Sequence, residues 1–245
     1  CSSDLKFGSQ VSKENILVTP GGRFSVFLAI STLLNPGDEI IIIEPAWPAY
    51  RDCATYVGVK VRNIATTLDS NWEPSISEIE NTINSNTKMI VLNYPNNPTG
   101  KVLSPNLQDK IIDIAKRHDL YVLSDEIYSE YAFSDWKSVL SNNYPKSIVI
   151  QSFSKSHAMT GLRIGYSITD PKIIEKMAKL QALCITNVAE PIQYAALKAI
   201  EVDTTQNSKA VRSKINAILK EANNEDLKFV NPDGAMYLFA KVNKP

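Results

Sequence analysis

The sequence predicts a three-layer α/β/α fold on a mainly parallel sheet, followed by the start of a smaller, incomplete α+β domain. Three observations predict it. Short β-branched apolar runs recur through the first 170 residues, and segments of helical period alternate with them. Beyond about residue 170 the texture changes to long amphipathic helices and a strand pair.

Seven runs read as strands of the main sheet: ENILVT (14–19), EIIIIE (39–44), VKVRNI (59–64), KMIVLN (88–93), LYVLSD (120–125), SIVIQS (147–152) and RIGYSI (163–168). GRFSVFLAISTLL (22–34) has apolar residues at helical spacing and ends at the turn signal NPGDE. In SPNLQDKIIDIAKRH (104–118), Ser104 is an N-cap, Pro105 occupies the first turn, and Ile111, Ile112 and Ala115 share one side. His118 ends that helix, where a positive imidazole suits the dipole. KIIEKMAKLQALCI (172–185) and QNSKAVRSKINAILKEAN (206–223) read as amphipathic helices. LKFVNPDGAMYLFAKV (227–242) reads as two strands joined through an Asn-Pro-Asp-Gly turn. The expected division is a large domain over 1–205 and the beginning of a small one over 206–245, unfinished at Pro245.

Composition narrows the function. The chain has 245 residues, enough for one sizeable core, with 26 Lys+Arg balancing 26 Asp+Glu. Without net charge or a long basic run, nucleic acid and anionic membrane are disfavoured as partners. The longest apolar runs, such as IIII at 40–43, are too short to span a bilayer, and no signal-peptide layout opens the chain, so a soluble, cytoplasmic protein is expected. Cys1, Cys53 and Cys184 are too scattered for a disulfide framework or a zinc site, and with only His118 and His157 no metal site is expected. A chain that begins with Cys is either processed or a portion of something longer.

Ligands of open α/β sheets bind beyond the carboxyl ends of the strands, and four unusual segments sit there. TPGGR (19–23) opens a helix, so Gly21 and Gly22 allow main-chain N–H groups near a phosphate and Arg23 adds charge; a tight connection is the plainer reading. NYPNNPTG (93–100) fixes a loop with prolines and presents three asparagines, or is simply a turn. SDEIYSEY (124–131) ends a strand with Asp125, also a natural N-cap, and carries Tyr128. SFSKS (152–156) offers Lys155 among hydroxyls, where a solvated lysine is the ordinary reading. Together, a phosphate cradle, an acid, a phenol, an amide and an amine match the needs of pyridoxal 5′-phosphate. An amine forms a Schiff base with its aldehyde, a carboxylate keeps its pyridine nitrogen protonated, and a phenol and an amide tune the ring hydroxyl.

With NNPTG, SDEIY and SFSKSHAMTGLRIGY in this order and spacing, the sequence resembles the fold-type I pyridoxal-phosphate aminotransferases, the aspartate aminotransferase family, from about residue 14 to its end. The resemblance implies that Lys155 is the Schiff-base lysine and proton carrier, that Asp125 pairs with the pyridinium, and that Asn97 and Tyr128 bond the ring hydroxyl. It implies phosphate ligands at Arg163, Ser152, Gly22 and Arg23, with Ser154 a further candidate, and an aromatic face at Trp47. Gly161 is expected to keep the return of the chain tight. Thr186 and Asn187 fall where the family's chain approaches the neighbouring subunit of a homodimer. Trp72 and Trp136 are expected to be structural, and His157 receives no role. The reaction implied moves an amino group from an L-amino acid, aspartate or aromatic, to a 2-oxo acid such as 2-oxoglutarate. An eliminating C–S lyase of the same fold and the effector-binding domain of a transcription regulator are the alternatives. The family's substrate-binding arginine near the C-terminus has no counterpart among Arg23, Arg51, Arg62, Arg117, Arg163 and Arg212.

Overall fold

The structure is a computed structural model that describes residues 11–222 and 226–242. Cys1, Asn223 and Pro245 lie outside the described residues. Seven strands form one sheet: β1 (Ile16–Thr19), β2 (Glu39–Glu44), β3 (Lys60–Ala65), β4 (Thr87–Asn93), β5 (Tyr121–Asp125), β6 (Ser147–Ser152) and β7 (Gly165–Ile168). Their order is β1-β7-β6-β5-β4-β2-β3, and β7 alone runs antiparallel to its neighbours. Among the described residues eight α-helices accompany it: α1 (Gly22–Leu33), α2 (Ala49–Tyr56), α3 (Ile76–Thr82), α4 (Pro105–Arg117), the single turn α5 (Phe153–Ser156), α6 (Pro171–Ile185), α7 (Glu190–Ala199) and α8 (Thr205–Ala222).

The four isoleucines of β2 show why the strands read as unbroken apolar runs. Ile41 and Ile43 join Ile90, Leu92 and the Ile111, Ile112 and Ala115 face of α4 in one core. Ile40 and Ile42 point the other way, against Met89, Val91, the α1 residues Val26, Leu28 and Ile30, and Ile173 and Met177 of α6. Alternate residues thus serve opposite layers, each buried aliphatic side chain contributing about 1.5–3 kcal/mol. The Ser104 hydroxyl caps α4 by accepting from the Leu107 N–H at 3.2 Å, with Pro105 at the first position and His118 as the C-cap.

Two expectations need correction. The seventh strand starts at Gly165, two residues later than the run RIGYSI, because Arg163 takes left-handed backbone (φ 52°) and turns the chain into the sheet. The C-terminal strands β8 (Leu227–Phe229) and β9 (Ala240–Val242) do pair antiparallel, but not through a tight Asn-Pro-Asp-Gly turn. Residues 230–239 instead leave the pair and dock on the main body. There Phe133 N–H donates to Asp233 O at 2.7 Å, Gly234 N–H to Gly100 O at 2.8 Å and Ala235 N–H to Tyr131 O at 3.0 Å. Trp72 packs edge-on against Phe239, and Trp136 leans on the core beneath α4.

Candidate active site

A cavity of about 250 Å³ opens at the carboxyl ends of β4, β5 and β6. Asp125, the last residue of β5, is 4% exposed. Tyr50, on α2, donates its hydroxyl to Asp125 Oδ2 at 2.7 Å, and the Ile127 N–H reaches Oδ1 at 3.3 Å. Burial outweighs both donors and pushes the carboxyl up to about 6. Asn93, at the end of β4, ties two loops together: its amide donates to the Asp125 carbonyl at 3.1 Å and accepts from the Asn97 N–H at 3.0 Å. Asn96 holds the other side of that loop by accepting from the Thr99 N–H at 2.9 Å. Asn97 is thereby presented to the cavity.

Tyr128 is 3% exposed and shares a hydrogen bond with Tyr237, whose ring meets it edge-on at 5.5 Å. Burial holds the Tyr128 hydroxyl protonated, far above the ordinary phenol range. Lys155 projects from α5, directly after β6, and the Tyr131 hydroxyl fixes its carbonyl at 2.9 Å.

Beside the lysine lies an anion cradle. Gly21 (φ 86°) turns the chain from β1 into α1, so Gly22 begins the helix where main-chain N–H groups face outward. Arg163 Nη2 lies 2.8 Å from the place a Cβ on Gly21 would take, so only glycine leaves room for the guanidinium. Thr160 accepts from Arg163 Nη1 through its carbonyl at 2.8 Å. Arg23 stacks over Trp47, 4.7 Å from the ring centroid, and Trp47 meets Tyr50 edge-on at 5.3 Å.

One cavity therefore gathers Gly22, Arg23, Trp47, Asn97, Asp125, Tyr128, Ser154, Lys155 and Arg163. Ser152 is not in its lining. Its hydroxyl accepts from the Ser154 N–H at 3.0 Å and donates to the Ile164 carbonyl at 3.1 Å, which starts α5 and fixes the lysine's turn. Gly161 is not the tight glycine either: nothing lies within 4 Å of a Cβ placed there. That role belongs to Gly165, whose Cβ would stand 2.7 Å from Gln151 O and 2.9 Å from Gly22 N. Thr186 and Asn187 are exposed and outside the cavity. The His157 ring stays local, 2.7 Å from the Ser156 hydroxyl.

Sequence reasoning missed Tyr50, Asn93, Ile127, Thr160 and Tyr237 in the lining. Tyr50 stands in the first turn of the helix just after Trp47, whose carbonyl accepts from the Tyr50 N–H at 3.3 Å, and Asn93 ends its strand as Asp125 does. Tyr237 carried no local signal.

A profile of the class I and II aminotransferases matches residues 5–245. The chain belongs to that family. Among family members, the aspartate aminotransferase of Thermotoga maritima is 36% identical over 243 residues, covering 97% of this chain and 64% of that enzyme. An aromatic-amino-acid aminotransferase of Thermococcus litoralis is 30% identical over 94% of the chain and 61% of its own length. The crystal structure of the Thermotoga maritima enzyme superposes with a TM-score of 0.95 at 34% identity, covering 98% of this chain and 65% of that one. This family chain thus spans under two thirds of the length of the relatives it matches.

The family depends on pyridoxal phosphate, and the cavity fits that group. The buried Asp125 carboxyl is hydrogen-bonded by two neutral donors, a phenol and a main-chain N–H, and a cationic ring nitrogen is the partner its raised pKa calls for. Among the described residues no cluster of His, Cys, Asp and Glu could hold a metal ion, and no helix is long and apolar enough to cross a membrane.

Proposed function

We propose that this chain is the cofactor-binding part of a pyridoxal-phosphate-dependent aminotransferase that moves the amino group of an L-amino acid, aspartate or aromatic, to a 2-oxo acid such as 2-oxoglutarate. One observation carries the reading: a lysine, a buried acid, a phenol, an asparagine and an anion cradle converge on one cavity. When bound, pyridoxal phosphate supplies an aldehyde for the amine and a ring that withdraws electrons from the amino acid's Cα.

The residues divide the remaining work. Lys155 Nζ would supply the amine that takes the aldehyde carbon with loss of water, and, once displaced by the substrate's amino group, the free amine that would take the proton from Cα. Asp125 keeps a proton on the ring nitrogen; its charge is strong there because water is excluded and Tyr50 fixes its orientation. Asn97 and Tyr128 bond the ring oxygen, and Trp47 covers a ring face. Gly22, Arg163 and Ser154 hold the phosphate, with Arg23 adding charge, while Ser152 positions Ser154 and Lys155 through the start of α5.

In this reading 1–205 forms the large domain and 206–245 begins the small one. The whole protein is a cytoplasmic homodimer, consistent with free Cys53 and Cys184 and with an exposed Thr186–Asn187 corner free to meet a second subunit. The test is spectroscopic. The purified protein given pyridoxal phosphate should show a visible band that Lys155→Ala abolishes. An L-amino acid should convert the cofactor to its amine form, and a 2-oxo acid should reverse the change. A band that survives in Lys155→Ala, or release of pyruvate and ammonia, would overturn the proposal.

A further inference from the structure

Tyr237 enters the cavity on residues 230–239, which the seven-stranded sheet does not position. The three main-chain hydrogen bonds to Gly100, Tyr131 and Phe133 fasten that segment, and the fit has no slack at two glycines. A Cβ on Gly100 would stand 2.5 Å from Pro232 Cβ, and one on Gly234 would stand 2.9 Å from both Pro95 Cβ and Tyr131 O. A buried charge closes the clasp. Lys101, 7% exposed, places Nζ 3.1 Å from Asp233 Oδ2 and 3.0 Å from Glu73 Oε1. An ammonium taken out of water is costly unless paired, so lifting Asp233 away removes half of its compensation.

The clasp grips the elements that carry the chemistry. Gly100 and Lys101 end the loop that presents Asn97, and Tyr131 bonds the Lys155 carbonyl three residues beyond Tyr128. We propose that Tyr237 is a positioning residue for Tyr128, and that the Lys101–Asp233 clasp sets its position. The inference rests on the cofactor role proposed for Tyr128. With Tyr237 as the donor in the shared bond, Tyr128 cannot swing freely, keeps its own O–H for an anionic oxygen and donates to it more strongly. Stronger donation to the ring oxygen lowers the proton affinity of the lysine-linked nitrogen beside it. The titratable groups facing Tyr128 are Asp125, Tyr50 and Tyr237, with Lys155, Arg23 and Arg163 elsewhere on the cavity wall. None except Tyr237 is altered by the variants below.

The test is a pH titration of the bound cofactor's visible band in wild type, Tyr237→Phe, Lys101→Met and Asp233→Asn. Tyr237→Phe should raise the midpoint by about half a pH unit or more. Lys101→Met should raise it too, although it removes no atom from the cavity. Asp233→Asn, at a half-exposed carboxylate, gives the same readout if Lys101→Met fails to fold. The double variant Tyr237→Phe/Asp233→Asn should shift no further than Tyr237→Phe alone, because both act on one contact. An unchanged midpoint in Tyr237→Phe overturns the positioning role. A shift in Tyr237→Phe with none in the clasp variants overturns the clasp. A wild type without any visible band would instead refute the cofactor reading beneath both.

Discussion

A single methyl group at Gly165 should unseat the anion cradle. In Gly165→Ala the new Cβ would stand 2.7 Å from Gln151 O, 2.9 Å from Gly22 N and 3.1 Å from Gly21 C. All three are main-chain atoms of β6 and of the turn into α1, so no side chain can rotate out of the way. Either β7 or the Gly21–Gly22 turn has to move by several tenths of an ångström. Overpacking of this kind costs about 1–3 kcal/mol, and three backbone contacts place it in the upper half, about 2–3 kcal/mol. For a chain of this size that lowers the melting temperature by roughly 4–12 °C. Because Gly22 is one of the residues proposed to hold the phosphate, cofactor affinity should fall as well. Thermal melts of the cofactor-free protein and a pyridoxal phosphate titration measure the two effects. Gly161→Ala is the control: its Cβ meets nothing within 4 Å and its backbone is not left-handed, so it should be neutral or stabilise by about 0.4–1 kcal/mol. A Gly165→Ala protein whose melting temperature falls by less than about 2 °C, the least that 1 kcal/mol would produce in a chain of this size, and that binds cofactor normally would refute the reasoning, as would Gly161→Ala proving the more damaging.

Two predictions concern the buried acid. Tyr50→Phe keeps the ring against Trp47 but removes the donor on Asp125 Oδ2, so it should cost about 1.5–3 kcal/mol at pH 8 and less at pH 5, where the carboxyl is protonated; urea denaturation at both pH values checks this, and an equal loss at both would contradict it. Asp125 itself should make the cofactor-free protein less stable as pH rises. Its carboxyl is raised from 3.8 to about 6, so between those values the folded chain holds a proton the unfolded chain has lost. Stability from this group is fully present below pH 3.8 and declines by about 3 kcal/mol as pH passes 6. The stability of wild type relative to Asp125→Asn should therefore fall by about 2–2.5 kcal/mol from pH 4 to pH 7, and a flat difference would refute the burial argument.

What the sequence revealed and what it hid divide along a physical line. Runs such as Ile40–Ile43 were legible because burial on both faces leaves no polar position to interrupt them. Lys155, Asp125 and Asn97 were legible because each ends or closely follows a strand run, and strand ends in such sheets face the ligand. Helices α2, α3 and α7 escaped notice because each is short and carries few buried residues to set a period. Contacts between distant segments left no local trace: Tyr50 meets Asp125 across 75 positions and Tyr237 meets Tyr128 across 109. The choice between Gly161 and Gly165 likewise depends on what lies opposite, which spacing alone does not disclose. The Asn-Pro-Asp-Gly stretch had good turn chemistry, but Asp233 gains an ion pair with buried Lys101 by docking instead.

The strand order explains why these residues act as a set. Asp125 ends β5, Lys155 follows β6, and Arg163 precedes β7, which are consecutive in the sheet. Because β7 is antiparallel to β6, its beginning rather than its end lies at the carboxyl edge, and so Arg163 reaches the same cavity as Lys155. At about 4.8 Å per strand, the acid and the guanidinium stand on strands roughly 10 Å apart with the amine between them. The cavity is therefore polar in a definite direction, negative at β5 and positive toward β7 and the N-terminus of α1. A flat ligand with a cationic ring nitrogen at one end and a phosphate at the other satisfies both ends in only one orientation. Were β7 parallel to β6, Arg163 would lie at the opposite edge of the sheet and the amine would have no guanidinium beside it.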